Sequence, residues 1–340
     1  MKILNALGQP IVLNDQEKRI SEHNATMIKN ATGYEVDITT LTTISKSVVE
    51  QKFYEIPFAD YAPVKVGEGS WSAALTTYRS FSLADEFSSG IVNTGSNNSG
   101  LASADTQVDS ITVPVMNWAK SLGWSLIDLQ LASKSGNWDL VTSKEKARKR
   151  NWDLGLQKTF FLGLEGNTSV KGLLTQADVT ENTSTISKKI SAMTSAEFAA
   201  FCAAVYEAYR ANCNRTAKPT HFVIPEADYN GLAAPYDPTF PIKTKLQALE
   251  ETFQMLTMNK SFKILPLAYA NKEIQGAKNI YTLLNYDEDS VRMDIPVQYN
   301  NTLANSVDNF RFQNVGYGQF TGVKAYRPAE MLYFSNTVSN

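Results

Sequence analysis

Apolar and polar positions alternate most clearly between residues 67 and 118. Trp71, Ala73, Leu75, Thr77, Arg79, Phe81 and Leu83 fall on one face, with Ser72, Thr76, Ser80 and Ser82 on the other. A period of two sends successive side chains to opposite faces, so it predicts a β-strand over 71–83. The pattern resumes over 108–115 through Ile111 and Val113. The intervening segment 88–104, SSGIVNTGSNNSGLASA, is uncharged and mostly Ser, Asn, Gly and Ala. That composition favours a loop. The reading is a two-stranded ribbon with an uncharged tip, its first strand reaching roughly 43 Å at about 3.3 Å per residue. Such a ribbon is marginally stable alone in water. If it is not its own domain, it belongs on a neighbouring copy, with Trp71, Phe81 and Phe87 covered there.

Helical spacing takes over downstream. Leu122, Leu126, Leu129 and Leu131 predict a short helix over 120–133, broken at Gly136 and Asn137. Thr142 with Glu145 three residues on reads as a capping box opening a helix that runs to about 164. Its first half carries Lys144, Lys146, Arg148, Lys149 and Arg150, and its second half Trp152, Leu154, Leu156, Phe160, Phe161 and Leu162. One end projects and the other is buried. A second capping box, Thr194 with Glu197, opens a helix to 212 with the stripe Phe198, Phe201, Cys202, Val205 and Tyr209. A buried strand follows at 221–224, then Pro225 at the first turn of a helix over 226–232. A helix over 243–258 and strands at 262–267, 280–286 and 291–297 complete this part. Residues 309–334 are β-rich, with glycines at 316, 318 and 322. Residues 1–63 read as an arm, with a short helix at 38–51 and an extended stretch over 53–66.

At 340 residues, 43% apolar and 19% charged, the chain can bury the core of one elaborate domain or two. A net charge of −2 rules out a chain-wide polyanion binder but leaves room for a local basic patch. Cys202 and Cys213 are separated by about 16 Å along a helix, too far for a disulfide, so they read as reduced thiols. No apolar run approaches the roughly 20 residues that span a bilayer, so no membrane partner is expected.

The search for chemistry finds little. His221 opens a buried strand, where a packed imidazole outweighs a catalytic one. No His/Cys cluster has metal-ligand spacing, and no phosphate-binding glycine motif or nucleophile elbow occurs. Asp287-Glu288-Asp289 lacks the glycine and distal Glu of a calcium loop and reads as a solvated hairpin turn. No catalytic group, cofactor or metal is expected. The run from Lys144 to Arg150 has two readings. One is a solvated helix face; the other is a face turned toward nucleic acid without sequence specificity. Glu145 and the near-neutral total argue against tight, specific binding.

In this order the parts resemble the major capsid proteins of tailed bacteriophages, with the Hong Kong 97-like shell fold, an α+β architecture. Three stretches carry the likeness: FYEIPFADYAPVKVGEGSWSAALTTYRSFSLADEF, KARKRNWDLGLQKTFFLGLEGNTSVKGLL, and NIYTLLNYDEDSVRMDIPVQYN followed by FTGVKAYRPAEMLYF. The resemblance implies an N-terminal arm over 1–63 and an extended β-ribbon loop over 64–118 lying on the next subunit. It implies a peripheral domain from 119–194 and 297–340 with its spine helix at 139–164, and an α/β axial domain over 195–296. It further implies a self-assembling subunit of hexamers and pentamers that forms an icosahedral shell around packaged double-stranded DNA, with Lys144, Lys146, Arg148, Lys149 and Arg150 of the spine helix facing the lumen. The implied setting is the virion, built in the bacterial host cytoplasm with portal and scaffolding proteins as partners.

Two departures from the family pattern set expectations. Some members join their rings by an isopeptide bond from a loop lysine. No lysine lies between Val66 and Ala119, so no such cross-link is expected. Some carry a scaffolding domain of around a hundred residues, against a pre-ribbon segment of about 63 here, so a separate scaffolding protein, or a scaffolding role for part of this arm, is expected. Three rival readings stay open. One is an encapsulin-like nanocompartment shell. Another is a cytosolic enzyme with a substrate pocket in 195–296. The last is a phage tail or baseplate component.

Overall fold

The computed structural model describes residues 52–83, 105–134, 139–276, 278–308 and 310–336. β1 (Val64–Val66) comes first, and the ribbon follows as β2 (Ala74–Leu83) and β3 (Asp105–Pro114). β2 and β3 run antiparallel from Ala74↔Pro114 to Leu83↔Asp105, and among the described residues they pair with no other strand. The expected tip, including Phe87, and the expected short helix at 38–51 lie outside the described residues.

After Val115 the chain departs from the helical spacing of its leucines. The leucines of 120–133 do not form one helix. Met116–Ser125 is a ten-residue strand, β4, followed by the helix α1 (Leu126–Lys134). β4 pairs along its whole length with β12 (Arg311–Phe320), from Ser125↔Arg311 to Met116↔Phe320. Strand pairing with a segment nearly 200 residues away overrides the local leucine spacing, as β-structure commonly does. β10 (Val297–Asn301) and β11 (Asn305–Ser306) flank the other side of β12.

The long helix α2 (Leu140–Leu162) lies on this sheet. Its N-cap is Asp139, not Thr142: the Asp139 carboxylate accepts from the Thr142 backbone N–H at 3.0 Å and from its hydroxyl at 2.7 Å. Thr142 is thus a helix residue held by the cap. The helix ends at Gly163, whose φ of 84° suits glycine alone. A β-carbon there would strike the returning chain at Val170. That return satisfies the last carbonyls, Leu173 N–H donating to Phe160 and Leu174 N–H to Phe161. Gly318 of β12 serves a similar end, because a β-carbon there would enter the Trp152 ring.

A five-stranded sheet forms the remaining centre. It comprises β5 (Thr180–Asn182), β6 (His221–Pro225), β7 (Lys263–Leu267), β8 (Asn279–Leu284) and β14 (Met331–Asn336), in the order β5-β14-β8-β6-β7. Every residue of β6, β8 and β14 is buried. Burial on both faces explains their continuous apolar runs. One face meets α3 (Ser195–Asn212) and α4 (Lys245–Thr257) through Phe198, Phe201, Leu249 and Phe253. The other meets the apolar end of α2. The capping box of Thr194 and Glu197 is present.

The boundaries expected at 195 and 297 are crossed by this sheet. β5 precedes the segment and β14 follows it, yet both complete the same layer. Residues 51–340 form one compact unit. The supposed arm is also partly core: Tyr61 and Ala62 are buried, Phe58 packs on Phe160, and the Gln157 side chain accepts from Ile56 N–H and donates to the Tyr54 carbonyl. A last small sheet joins β1, β9 (Val291–Ile295) and β13 (Val323–Ala325). Asp287-Glu288-Asp289 therefore links strands of two different sheets and is no hairpin turn. Asp287 and Asp289 lie 3.5 and 3.8 Å from the Arg327 guanidinium. Among the described residues, no cluster of His, Cys, Asp and Glu is arranged to hold a metal, and no helix is long and apolar enough to cross a membrane.

Candidate assembly surfaces

The root of the ribbon leans on its own chain. Leu75, Thr77, Arg79 and Ile111 are half-buried and Val113 is buried, while Thr76, Tyr78, Ser80, Val108, Ser110 and Thr112 are exposed. The face expected to dock on a neighbour is thus, at the root, the one turned inward. The polar contacts explain why. Arg79 donates to the Tyr326 carbonyl at 3.0 Å and pairs with Asp109 at 2.7 Å, and Arg292 donates to the Thr77 hydroxyl at 3.2 Å. Thr77, Arg79, Arg292 and Tyr326, together with Ser80, Asp289 and Arg327, line a cleft of about 230 Å³. Its charges are engaged in structural pairs, Arg292 with Asp294 at 3.3 Å and Arg327 with Glu330 at 3.5 Å. The cleft is a clamp on the ribbon's base. The face left outward there carries no charge, and the Thr76 and Thr112 hydroxyls bridge it at 3.0 Å.

Trp71 lies outside β2, in the turn before it. Its φ of 63° is unusual for a bulky residue. The conformation is held by its backbone N–H donating to Gln319 Oε1 at 2.7 Å, and Gln319 in turn donates to Asn117 at 2.6 Å. The ring lies 5.9 Å from that of Tyr317 and the residue stays 71% exposed. Phe81 is on β2, and Phe87 lies outside the described residues.

The basic half of α2 divides. Arg148 is only 3% exposed and is a structural residue, not part of a lumen-facing surface. Its guanidinium donates to Tyr299 Oη, Asn314 Oδ1 and Asn301 Oδ1 at 2.9–3.1 Å and to the carbonyls of Asn314 and Lys120. Asn314 then donates to Glu145 at 2.9 Å. Lys144 is half-buried and donates to the Gly123 carbonyl. Arg150 lies 5.4 Å from the Phe53 ring centroid and 3.7 Å from Glu55. Lys146 and Lys149 are exposed. Sequence reasoning could not separate these five because the sheet that swallows Arg148 comes from residues 297–320.

The titratable groups of the α/β centre are structural. Both cysteines are free and buried, and burial pushes the Cys202 thiol up to about 12. His221 stacks on Tyr286 at 4.8 Å. Burial, and then the charge of Lys263, bring its pKa down to about 4. The buried Asp228 carboxylate accepts from Ile190 and Ser191 N–H and from the Tyr281 hydroxyl, tying three segments together.

A clamped ribbon with an uncharged outward face, a spine helix on a long antiparallel sheet and a buried α/β sheet define a shell-forming subunit with the Hong Kong 97-like capsid fold. The model of the major capsid protein family matches residues 90–336, and the chain belongs to that family. Among solved structures, the capsid of Myoviridae phage XM1 aligns with a TM-score of 0.72 at 16% identity, over 87% of this chain and 97% of that one. The capsid of cyanophage P-SCSP1u aligns at 0.54 and 12% identity, over 91% of this chain and 97% of that one. The capsid of the native GTA particle gives 0.54 and 13%, over 91% and 100%. No curated protein matches the chain.

Proposed function

We propose that this capsid subunit forms the hexamers and pentamers of an icosahedral shell around the double-stranded DNA of a tailed phage. Assembly would take place in the bacterial host cytoplasm with a portal and a separate scaffolding protein. The observation that carries the assembly step is the ribbon: ten-residue strands paired only with each other among the described residues. They are fixed at the root by Arg79 and Arg292. An isolated ribbon is too weak to stand, so its outer length gains stability by lying on the next subunit. Head-to-tail contacts of this kind close into rings. The exposed Lys146 and Lys149 suit weak, sequence-independent contact with phosphates. The absence of lysine between Val66 and Ala119 predicts that assembled particles run as monomers on a denaturing gel.

Electron microscopy of the expressed protein, with and without residues 85–107, tests this reading. The full chain should give polyhedral particles or capsomer rings, and the deletion a folded subunit that forms no closed particle. Tubes from the full chain, or normal particles from the deletion, would contradict it. Nuclease-protected DNA in particles from infected cells separates a genome shell from a nanocompartment with enzyme cargo.

A further inference from the structure

The small sheet of β1, β9 and β13 meets the ribbon root through two charged side chains. Alternation along β9 sends Met293 and Ile295 into the core and puts Arg292 and Asp294 together on the other side. Asp294 is only 3% exposed. Its backbone is fixed beside Lys65 of β1 in the strand register and by Thr321, whose N–H donates to the Asp294 carbonyl at 2.9 Å. Among the described residues its Oδ1 makes no hydrogen bond, and the carboxylate leans on the Arg292 guanidinium 3.3 Å away. That same guanidinium reaches the ribbon. It donates to the Thr77 hydroxyl at 3.2 Å and lies 4.6 Å from the centroid of the Tyr326 ring, while the Tyr326 carbonyl accepts from Arg79. One cation thus joins a buried acid to β2.

The other charges around this point have partners of their own. Arg79 pairs with Asp109 at 2.7 Å, Lys324 of β13 with Asp178 at 2.6 Å, and Lys65 with Glu68. Across the cleft, Asp289 lies 3.8 Å from Arg327. Hydrogen bonds from Arg79, Lys324 and Lys65 hold Asp109, Asp178 and Glu68 below the usual carboxylate range. Burial holds Asp294 above it, against the attraction of Arg292. Falling pH therefore neutralises Asp294 before those three. The sheet keeps Asp294 buried whether or not Arg292 is beside it. Losing the guanidinium removes an attraction that favours the charged acid, so proton uptake by Asp294 and departure of Arg292 assist each other. Glu68, 58% exposed, offers the departing guanidinium a counter-charge at the surface. We propose that Arg292 and Asp294 form a proton-operated clasp on the ribbon: with the acid charged, Arg292 binds β2 to the body at Thr77, and with the acid neutral it lets the ribbon root go. The clasp lies within one subunit, goes beyond the shell reading and does not depend on it.

Hydrogen–deuterium exchange of the free, full-length subunit at pH 7 and pH 4.5, each corrected for the intrinsic exchange rate, tests the clasp. Amides of residues 75–79 should lose protection at least tenfold at pH 4.5, while those of β8 keep theirs. Asp294→Asn, which holds the side chain neutral, should show the low protection at both pH values. Arg292→Gln, which removes the cation and leaves the acid, should do the same. Loss of protection in β8 would reveal a variant that fails to fold, and the comparison then rests on the other variant and on the unaltered chain. His221→Gln should keep the full response, since His221 lies in the five-stranded sheet. Equal protection of residues 75–79 at both pH values in the unaltered chain overturns the proposal, as does a tenfold acid response that survives in Asp294→Asn. A response abolished by His221→Gln assigns the release to that histidine and also overturns it.

Discussion

Single side chains decide which charges build the subunit and which serve its surfaces. Arg148 and Lys146 sit two residues apart in one basic run, yet Arg148 holds five neutral acceptors in the interior while Lys146 meets solvent. Arg148→Ala strands the buried oxygens of Asn314 without that donor. It should cost about 3 kcal/mol in urea denaturation of the unassembled subunit, against less than about 0.5 for Lys146→Ala. His221 gives a pH signature. Its folded pKa, about 4, lies below the ordinary 6.5, so the unfolded chain binds the proton more readily. Its contribution is fully present above pH 6.5, is lost as pH falls toward 4 and is flat below. His221→Gln should therefore flatten the fall in urea midpoint between pH 6.5 and 4, and an unchanged slope would contradict burial as the cause. The histidine's packing was legible from its place at the head of an apolar run. The fate of Arg148 was not, because it depends on acceptors more than 150 residues away.

Elements were readable where their determinants are local. The capping box of Thr194 and Glu197, the stripe from Phe198 to Tyr209 and the doubly buried strand at His221 need only neighbouring residues, and they stand where the pattern puts them. The ribbon strands followed from alternation alone. The failures are non-local. β4 looked helical because Leu122, Leu126 and Leu129 share a helical spacing. Ten rungs with β12 decide otherwise, and Trp118 and Trp124 find partners in Trp152 and Phe312 only through that pairing. The glycines of β12 make the same point: Gly318 is where the Trp152 ring comes down on the sheet. Gly318→Val should destabilise the free subunit by about 1–3 kcal/mol through overpacking. Combining it with Trp152→Leu should cost less than the sum of the two single changes. Additive costs would show that the ring and the glycine do not share that space.

For the whole molecule, the division of labour is between a centre that satisfies itself and surfaces that need other copies. The five-stranded sheet buries both faces, closes over Asp228 and draws its strands from residues 180 to 336. Among the described residues, by contrast, the ribbon pairs only with itself beyond its clamped root. Family membership establishes the shell. The route by which the ribbon joins one subunit to the next is the claim on which the account turns. Hydrogen–deuterium exchange at residues 74–83 and 105–114, compared between free subunit and assembled particle, tests it most directly. The account predicts that the amides beyond the Arg79 clamp exchange rapidly in the free subunit and become strongly protected in the particle. Equal protection in both states would mean that the ribbon owes its stability to its own chain, and would contradict it.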